Sequence, residues 1–173
     1  GEKYAMTDTI SQVTLLFPFD SSVIESGFMD NKHNLARLHS ILTDDIAKSG
    51  LDSITIIASS SPEGIPSYNR KLAERRANSM KSYITQNYQY LNSTIIGAYA
   101  YKKYWDGLIM MVEQDPHVPG KEKLLEMLDD THLTDAQKSY RMSTMQAGVT
   151  FAYLRDKLIF QNLRVGSATI KVH

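Results

Sequence analysis

Apolar positions along this chain change their period in a definite order. Between Ser11 and Phe19, Val13, Leu15 and Phe17 alternate with Thr14 and Leu16, the two-residue period of a strand buried on both faces or nearly so. A turn-rich link over 20–30 follows, with Asp20, Ser21, Ser22 and Gly27. The spacing then shifts to three and four, with Leu35, Leu38, Leu42 and Ile46 in register and Ile41 beside them. That predicts a helix over about 30–48, capped by Asp30 and stopped near Gly50. Residues 53–59, SITIIAS, are short and β-branched and read as a central strand. The loop SSSPEGI leads into a second helix from about Pro66 to Gln86, with the proline suited to its first turn. TIIGAYAY (94–101) gives a third strand. Residues 105–160 read as four short helices broken at Asp115-Pro116, Pro119-Gly120, Leu133-Thr134 and Gly148. Ala168, Ile170 and Val172 alternate with Thr169 and Lys171 as a last strand. The order β-α-β-α-β, helical segment, β makes the chain α/β or α+β, with helices packed on a sheet.

Composition narrows what such a fold does here. The 173 residues fit one domain, since domains run to roughly 100–200 residues. Residues 1–10 are read as a disordered or expression-derived lead, and 11–173 as a single domain with an insertion at about 105–160. Nineteen Lys and Arg offset nineteen Asp and Glu, so the net charge is zero. Nucleic acid is therefore not an expected partner, because counterion release needs a basic excess. There is no Cys, which excludes disulfides, thiolate-held zinc and thiol nucleophiles. No apolar run approaches the roughly 18–20 residues of a spanning helix, so this segment is not expected to insert in a membrane. The opening Gly1 and the lack of a leader suggest an excised domain with its targeting removed.

Chemistry concentrates on the second helix. Leu72, Met80 and Tyr83/Ile84 define its apolar stripe, with Ala73 and Ala77 beside it. Lys71, Glu74, Arg75, Asn78 and Ser82 fall on the other side. Arg76 lies four residues from both Leu72 and Met80, on the inward row, and Asn69 lies two turns earlier on the same face. An unpaired buried guanidinium is expensive, so Arg76 must find partners. Two readings stand: a structural arginine tying the 59–64 loop to the helix, or a cation that binds an anion.

The segment SSSPEGIPSYNRKLAERRANSMKSYI resembles the signature of the OmpA-like, peptidoglycan-associated domain family, roughly T-D-x-x-G-x-x-x-Y-N-x-x-L-S-x-x-R-A-x-x-V. Gly64, Tyr68-Asn69, Leu72 and Arg76-Ala77 stand at the matching positions. VTLLFPFDSS is similar to the family's first strand, with its Phe-Asp followed by small polar residues. The resemblance covers about 11–101 and, more weakly, 164–172. It implies an α+β fold, a βαβαβ–β mixed sheet with helices packed on one face, here with an inserted helical block. It implies a periplasmic, non-catalytic module that binds the diaminopimelate stem of peptidoglycan without covalent chemistry. Attachment to the outer membrane would run through regions outside this chain. In the family a loop Asp holds the diaminopimelate amine and the helix Arg holds its carboxylate, which suits a zwitterion.

The chain departs from that pattern in two places. The family's Thr and Asp align with Ser60 and Ser61, while Arg76 keeps the cation. Glu63 is then either a solvated turn residue or the replacement carboxylate. The serines are candidates to donate to an anion beside Arg76. Arg76, Asn69, Ser61, Ser60 and Glu63 form the candidate ligand-binding set. The second departure is the 105–160 block, with Trp105, Met110, Met111, Tyr140, Met142, Met145, Phe151 and Tyr153. Its Met and aromatic positions read as core or as a docking surface for another envelope protein. That leaves an alternative function, a structural adaptor that has lost peptidoglycan binding. No nucleophile elbow, phosphate-binding loop, dinucleotide fingerprint or zinc-helix motif is present, so no catalytic residue is assigned. His33, His39, His117, His132 and His173 have no metal-ligand spacing, and neither metal nor cofactor is expected.

Overall fold

A computed structural model describes residues 8–173. The expected lead falls outside it for residues 1–7, and Thr9 and Ile10 already belong to the first strand. The elements are β1 (Thr9–Leu16), α1 (Asn31–Thr43), α2 (Asp45–Gly50), β2 (Leu51–Ala58), α3 (Pro66–Asn87), β3 (Ile96–Ala100), α4 (Asp106–Gln114), α5 (Lys121–Asp129), α6 (Asp135–Thr144), α7 (Val149–Asp156) and β4 (Val165–Val172). The sheet order is β1-β4-β2-β3. β4 lies antiparallel to both β1 and β2, and β3 lies parallel to β2. This is the expected α+β mixed sheet, with the closing strand in the middle.

One face of the sheet carries the core. Val13 sits opposite Ala168, which also pairs with Ile56, and Ile170 pairs with Ile54. All five are buried, and α1 and α3 cover them through Leu38, Leu42, Ala77, Met80 and Ile84. On β1 the burial is one-sided, because Thr14 and Leu16 point to the open face and are only half-buried. Gly166 is required where α3 crosses β4: a Cβ there would stand 2.2 Å from the Met80 sulfur.

The helix expected over 30–48 is two helices. Asp44 is extended (φ −66°, ψ 132°), and its carboxylate accepts from the Ile46 backbone N–H, capping α2. The turn rotates Ile46 out of the stripe, leaving it 70% exposed, and Ala47 takes the inward position. Asp30 occupies the N-cap of α1, but its side chain makes no capping bond. The fully buried Asn31 does the stitching instead. Its amide accepts from Leu16 N–H and donates to the Leu16 and Glu25 carbonyls, fixing the 17–30 link against β1.

The 105–160 block forms four helices, as expected, around a hydrophobic core of its own. Trp105, Leu108, Val112, Leu124, Met142 and Phe160 are buried there. Of the Met and aromatic positions in question, Trp105 and Met142 are buried, and Met111, Met145, Phe151 and Tyr153 pack against that core. Met110 and Tyr140 face outward, 58% and 70% exposed.

Candidate functional site

Where the link after β1, the 59–65 loop and the first turns of α3 meet, they enclose a cleft of about 270 Å³. Its wall includes Phe19, Asp20, Ser61, Glu63, Tyr68, Arg76 and Arg164. The helical period of α3 puts Asn69, Leu72 and Arg76 on one buried face, as the sequence indicated. Arg76 is 0% exposed. Its Nε donates to the Ser21 carbonyl at 2.9 Å, and its two terminal nitrogens donate to the Ser59 (3.1 Å) and Pro18 (3.3 Å) carbonyls. The guanidinium also lies 5.4 Å from the centroid of the Phe17 ring.

These carbonyls satisfy hydrogen bonds without neutralising charge. Burial, and next the like charge of Arg164, lower the Arg76 pKa to about 10, so it stays protonated at neutral pH. Among the described residues no ion pair includes Arg76; Asp20 and Glu63 act on it only through space.

Glu63 is not a solvated turn residue, which corrects that reading of it. It is paired with Arg164, and the two side chains are 14% and 10% exposed. Ser61 Oγ donates to Glu63 Oε1 at 2.6 Å and accepts from Arg164 Nε at 3.1 Å. Gln161 Oε1 takes a third Arg164 N–H at 2.8 Å, while its own amide donates to the Phe17 carbonyl. Ser60 lies behind the loop, its hydroxyl donating to the Asn69 carbonyl at 2.7 Å. Both serine protons are thus committed, that of Ser61 within the loop and that of Ser60 to α3, and Ser60 braces the loop rather than lining the cleft. Asn69 likewise donates its amide to the Glu63 carbonyl (2.8 Å) and to Tyr104 Oη (2.9 Å).

Sequence reasoning missed Arg164, Gln161 and the role of Asp20. Asp20 has φ +53°, a left-handed conformation that Asp tolerates better than most residues, and it is exposed at the cleft. The Tyr68 hydroxyl donates to its carboxylate, and that bond, together with desolvation, raises the Tyr68 pKa. The Phe-Asp pair was visible in the sequence, but nothing there set it opposite Arg76.

The helical block holds this site in place. Ser139 Oγ of α6 donates to the Gly64 carbonyl at 2.7 Å. Asp135 pairs with Arg70 of α3 and accepts from Trp105 Nε1 at 2.9 Å. Arg70 also stacks 4.6 Å over the Tyr104 ring. Burial opposes the charge on Asp135, but the Arg70 and Trp105 hydrogen bonds prevail and hold its pKa below the usual 3.8. A depressed carboxylate stabilises the fold above its unfolded pKa, and the contribution is lost as pH falls through the folded value. Trp105 is the single tryptophan, so its emission reports this link. Acidification below about pH 4 is expected to shift Trp105 fluorescence, and Asp135→Asn to remove the transition. An unchanged acid transition in that variant overturns the assignment.

The fold and cleft define a class: a one-sided mixed sheet whose link, loop and central helix frame a pocket of paired charges and one unneutralised arginine. No known family profile matches the sequence. No curated protein matches it. Among solved structures, the chain is similar to the OmpA-like domain of FopA1 from Francisella tularensis subsp. tularensis SCHU S4. The two are 14% identical over 98% of this chain and 77% of that one, with a TM-score of 0.48. Among the described residues no helix is long and apolar enough to cross a membrane.

Proposed function

We propose that this chain is a non-catalytic cell-envelope module that captures the zwitterionic diaminopimelate end of a peptidoglycan stem peptide in the Arg76 cleft. The observation that carries this reading is the wholly buried Arg76 guanidinium, held by three carbonyls and, among the described residues, by no carboxylate, at the wall of the cleft. A ligand carboxylate would supply the missing countercharge. The signature from Gly64 to Ala77 supports the same reading. In this arrangement Asp20 receives the ligand ammonium. Its close hydrogen-bond partner is the neutral Tyr68 phenol, whereas Glu63 is already engaged by Arg164. Ser60, Ser61, Asn69 and Glu63 shape the loop around the ligand. The module would lie in the periplasm and tether an outer-membrane or surface assembly to the wall.

A second reading is favoured by one observation, the separate core of the 105–160 block. On it the chain is an adaptor that docks an envelope protein through that block. Titration with a diaminopimelate-containing stem peptide, followed by NMR, separates the two. Capture in the cleft is expected to perturb Asp20, Ser61, Tyr68 and Arg76, and to be unchanged in Lys71→Ala, whose side chain is exposed on the outward side of α3. Silence of these resonances at millimolar peptide overturns the binding reading and puts the adaptor first.

A further inference from the structure

A second groove of about 370 Å³ runs beside the first, between the entry to α3, α6 and α7. The two share Gly64 and Ile65 as a common wall. Among the described residues, no charged side chain lines the second groove. Its floor and sides are Ile65, Phe151 and Tyr140, with the hydroxyls of Ser139 and Ser143 between them. Ile65 and Tyr140 are 67% and 70% exposed, a large apolar area for two residues. The volume falls within the roughly 300–1,000 Å³ of sites that take small ligands.

Apart from the Tyr140 phenol, which can donate or accept, the side-chain polar groups of this groove present acceptors only. Ser139 Oγ donates to the Gly64 carbonyl, and Ser143 Oγ donates to the Tyr140 carbonyl, both at 2.7 Å. A hydroxyl whose proton is committed still carries lone pairs, so both serines present acceptors to the groove. A charged ligand finds no countercharge here, and a purely aliphatic one leaves the acceptors without donors. The complementary ligand is neutral, has an apolar ring face to lie on Tyr140, and bears hydroxyl or amide N–H donors at its edge. A sugar ring has these properties.

We propose that this groove is a glycan subsite, taking a neutral N-acetylated sugar ring of the strand that carries the stem peptide held at Arg76. The proposal rests on the cell-wall reading above and extends it from the peptide to its attached sugar. Continuity through Gly64–Ile65 lets one ligand span both sites. Linked occupancy makes the second contact intramolecular, so a modest contact yields a measurable gain.

The test uses three probes by calorimetry: the free stem peptide, the disaccharide-linked stem peptide, and an N-acetylglucosamine oligomer. The disaccharide-peptide is expected to bind about 5–10-fold more tightly than the free peptide, the size of an aromatic contact. Tyr140→Ala is expected to erase that excess and leave free-peptide affinity unchanged; Tyr140→Phe is expected to retain it. Tyr140 is exposed, so neither change threatens the fold. Equal affinity for peptide and disaccharide-peptide overturns the subsite, as does an excess that survives Tyr140→Ala. If the oligomer binds in a Tyr140-dependent way while the free peptide does not, the subsite stands and the Arg76 reading falls. If no probe binds, both fall.

Discussion

Arg76→Ala is expected to abolish stem-peptide binding and to lower stability by about 3 kcal/mol, read as a shift of the urea midpoint. The substitution leaves the Ser21 and Ser59 carbonyls without their donor in a buried place, removes one of the two donors to the Pro18 carbonyl, and opens a cavity beside Phe17. Relief of the buried charge offsets part of that loss, which keeps the figure below the cost of an equal number of orphaned groups. Arg76→Lys separates the two effects. Its ammonium retains the charge but lacks the planar fork that reaches three carbonyls on two segments. It is expected to recover part of the stability while binding at least tenfold more weakly than the parent. Wild-type affinity in a folded Arg76→Lys variant would show that the fork takes no part in recognition.

The second large effect concerns the pair Glu63–Arg164. Glu63→Gln leaves the Arg164 guanidinium in a nearly buried place without its carboxylate, a change that typically costs about 3–5 kcal/mol. The neutral amide still accepts a hydrogen bond, so the lower end of that range is expected here. Arg164→Gln is expected to cost a similar amount by stranding Glu63. The double variant is expected to lose clearly less than the sum, and a double-mutant cycle measures the difference. Simple additivity would mean the two charges do not stabilise each other. Ser61→Asp bears on the same point. It sets a second carboxylate beside Glu63, so it is expected to destabilise the parent and to be tolerated in Glu63→Gln, where Arg164 would accept the new partner.

The parts of this molecule that repeat at short range were legible in the sequence. The period of α3 placed Leu72, Arg76 and Met80 on one buried face, alternation found the first and last strands, and a short β-branched run found β2. The break at Asp44 was not legible, because continuing apolar spacing to Ile46 masks a cap formed by one side chain and one extended residue. Nor was the middle position of β4, which depends on pairings that no local pattern encodes. Arg164 is the sharpest case. A cation just before a strand has no periodic signature, and its carboxylate partner lies 101 residues away in the chain. Glu63 therefore looked free when read within its own loop. The tie between Ser139 and Gly64 spans 75 residues and was hidden for the same reason.

The place of β4 in the sheet also governs when this molecule can fold. β4 is made after every other element, yet it stands between β1 and β2 and hydrogen-bonds to both. Until it emerges, β1 has no neighbour and β2 has only β3, so two hydrogen-bonding edges stay open throughout synthesis. The loops that must then close span more than a hundred residues, which slows the search and lengthens the exposure of those edges. Arg164 arrives in the same stretch of chain, directly before β4. The cleft and the sheet are therefore completed together, and a growing chain has neither until β4 is made.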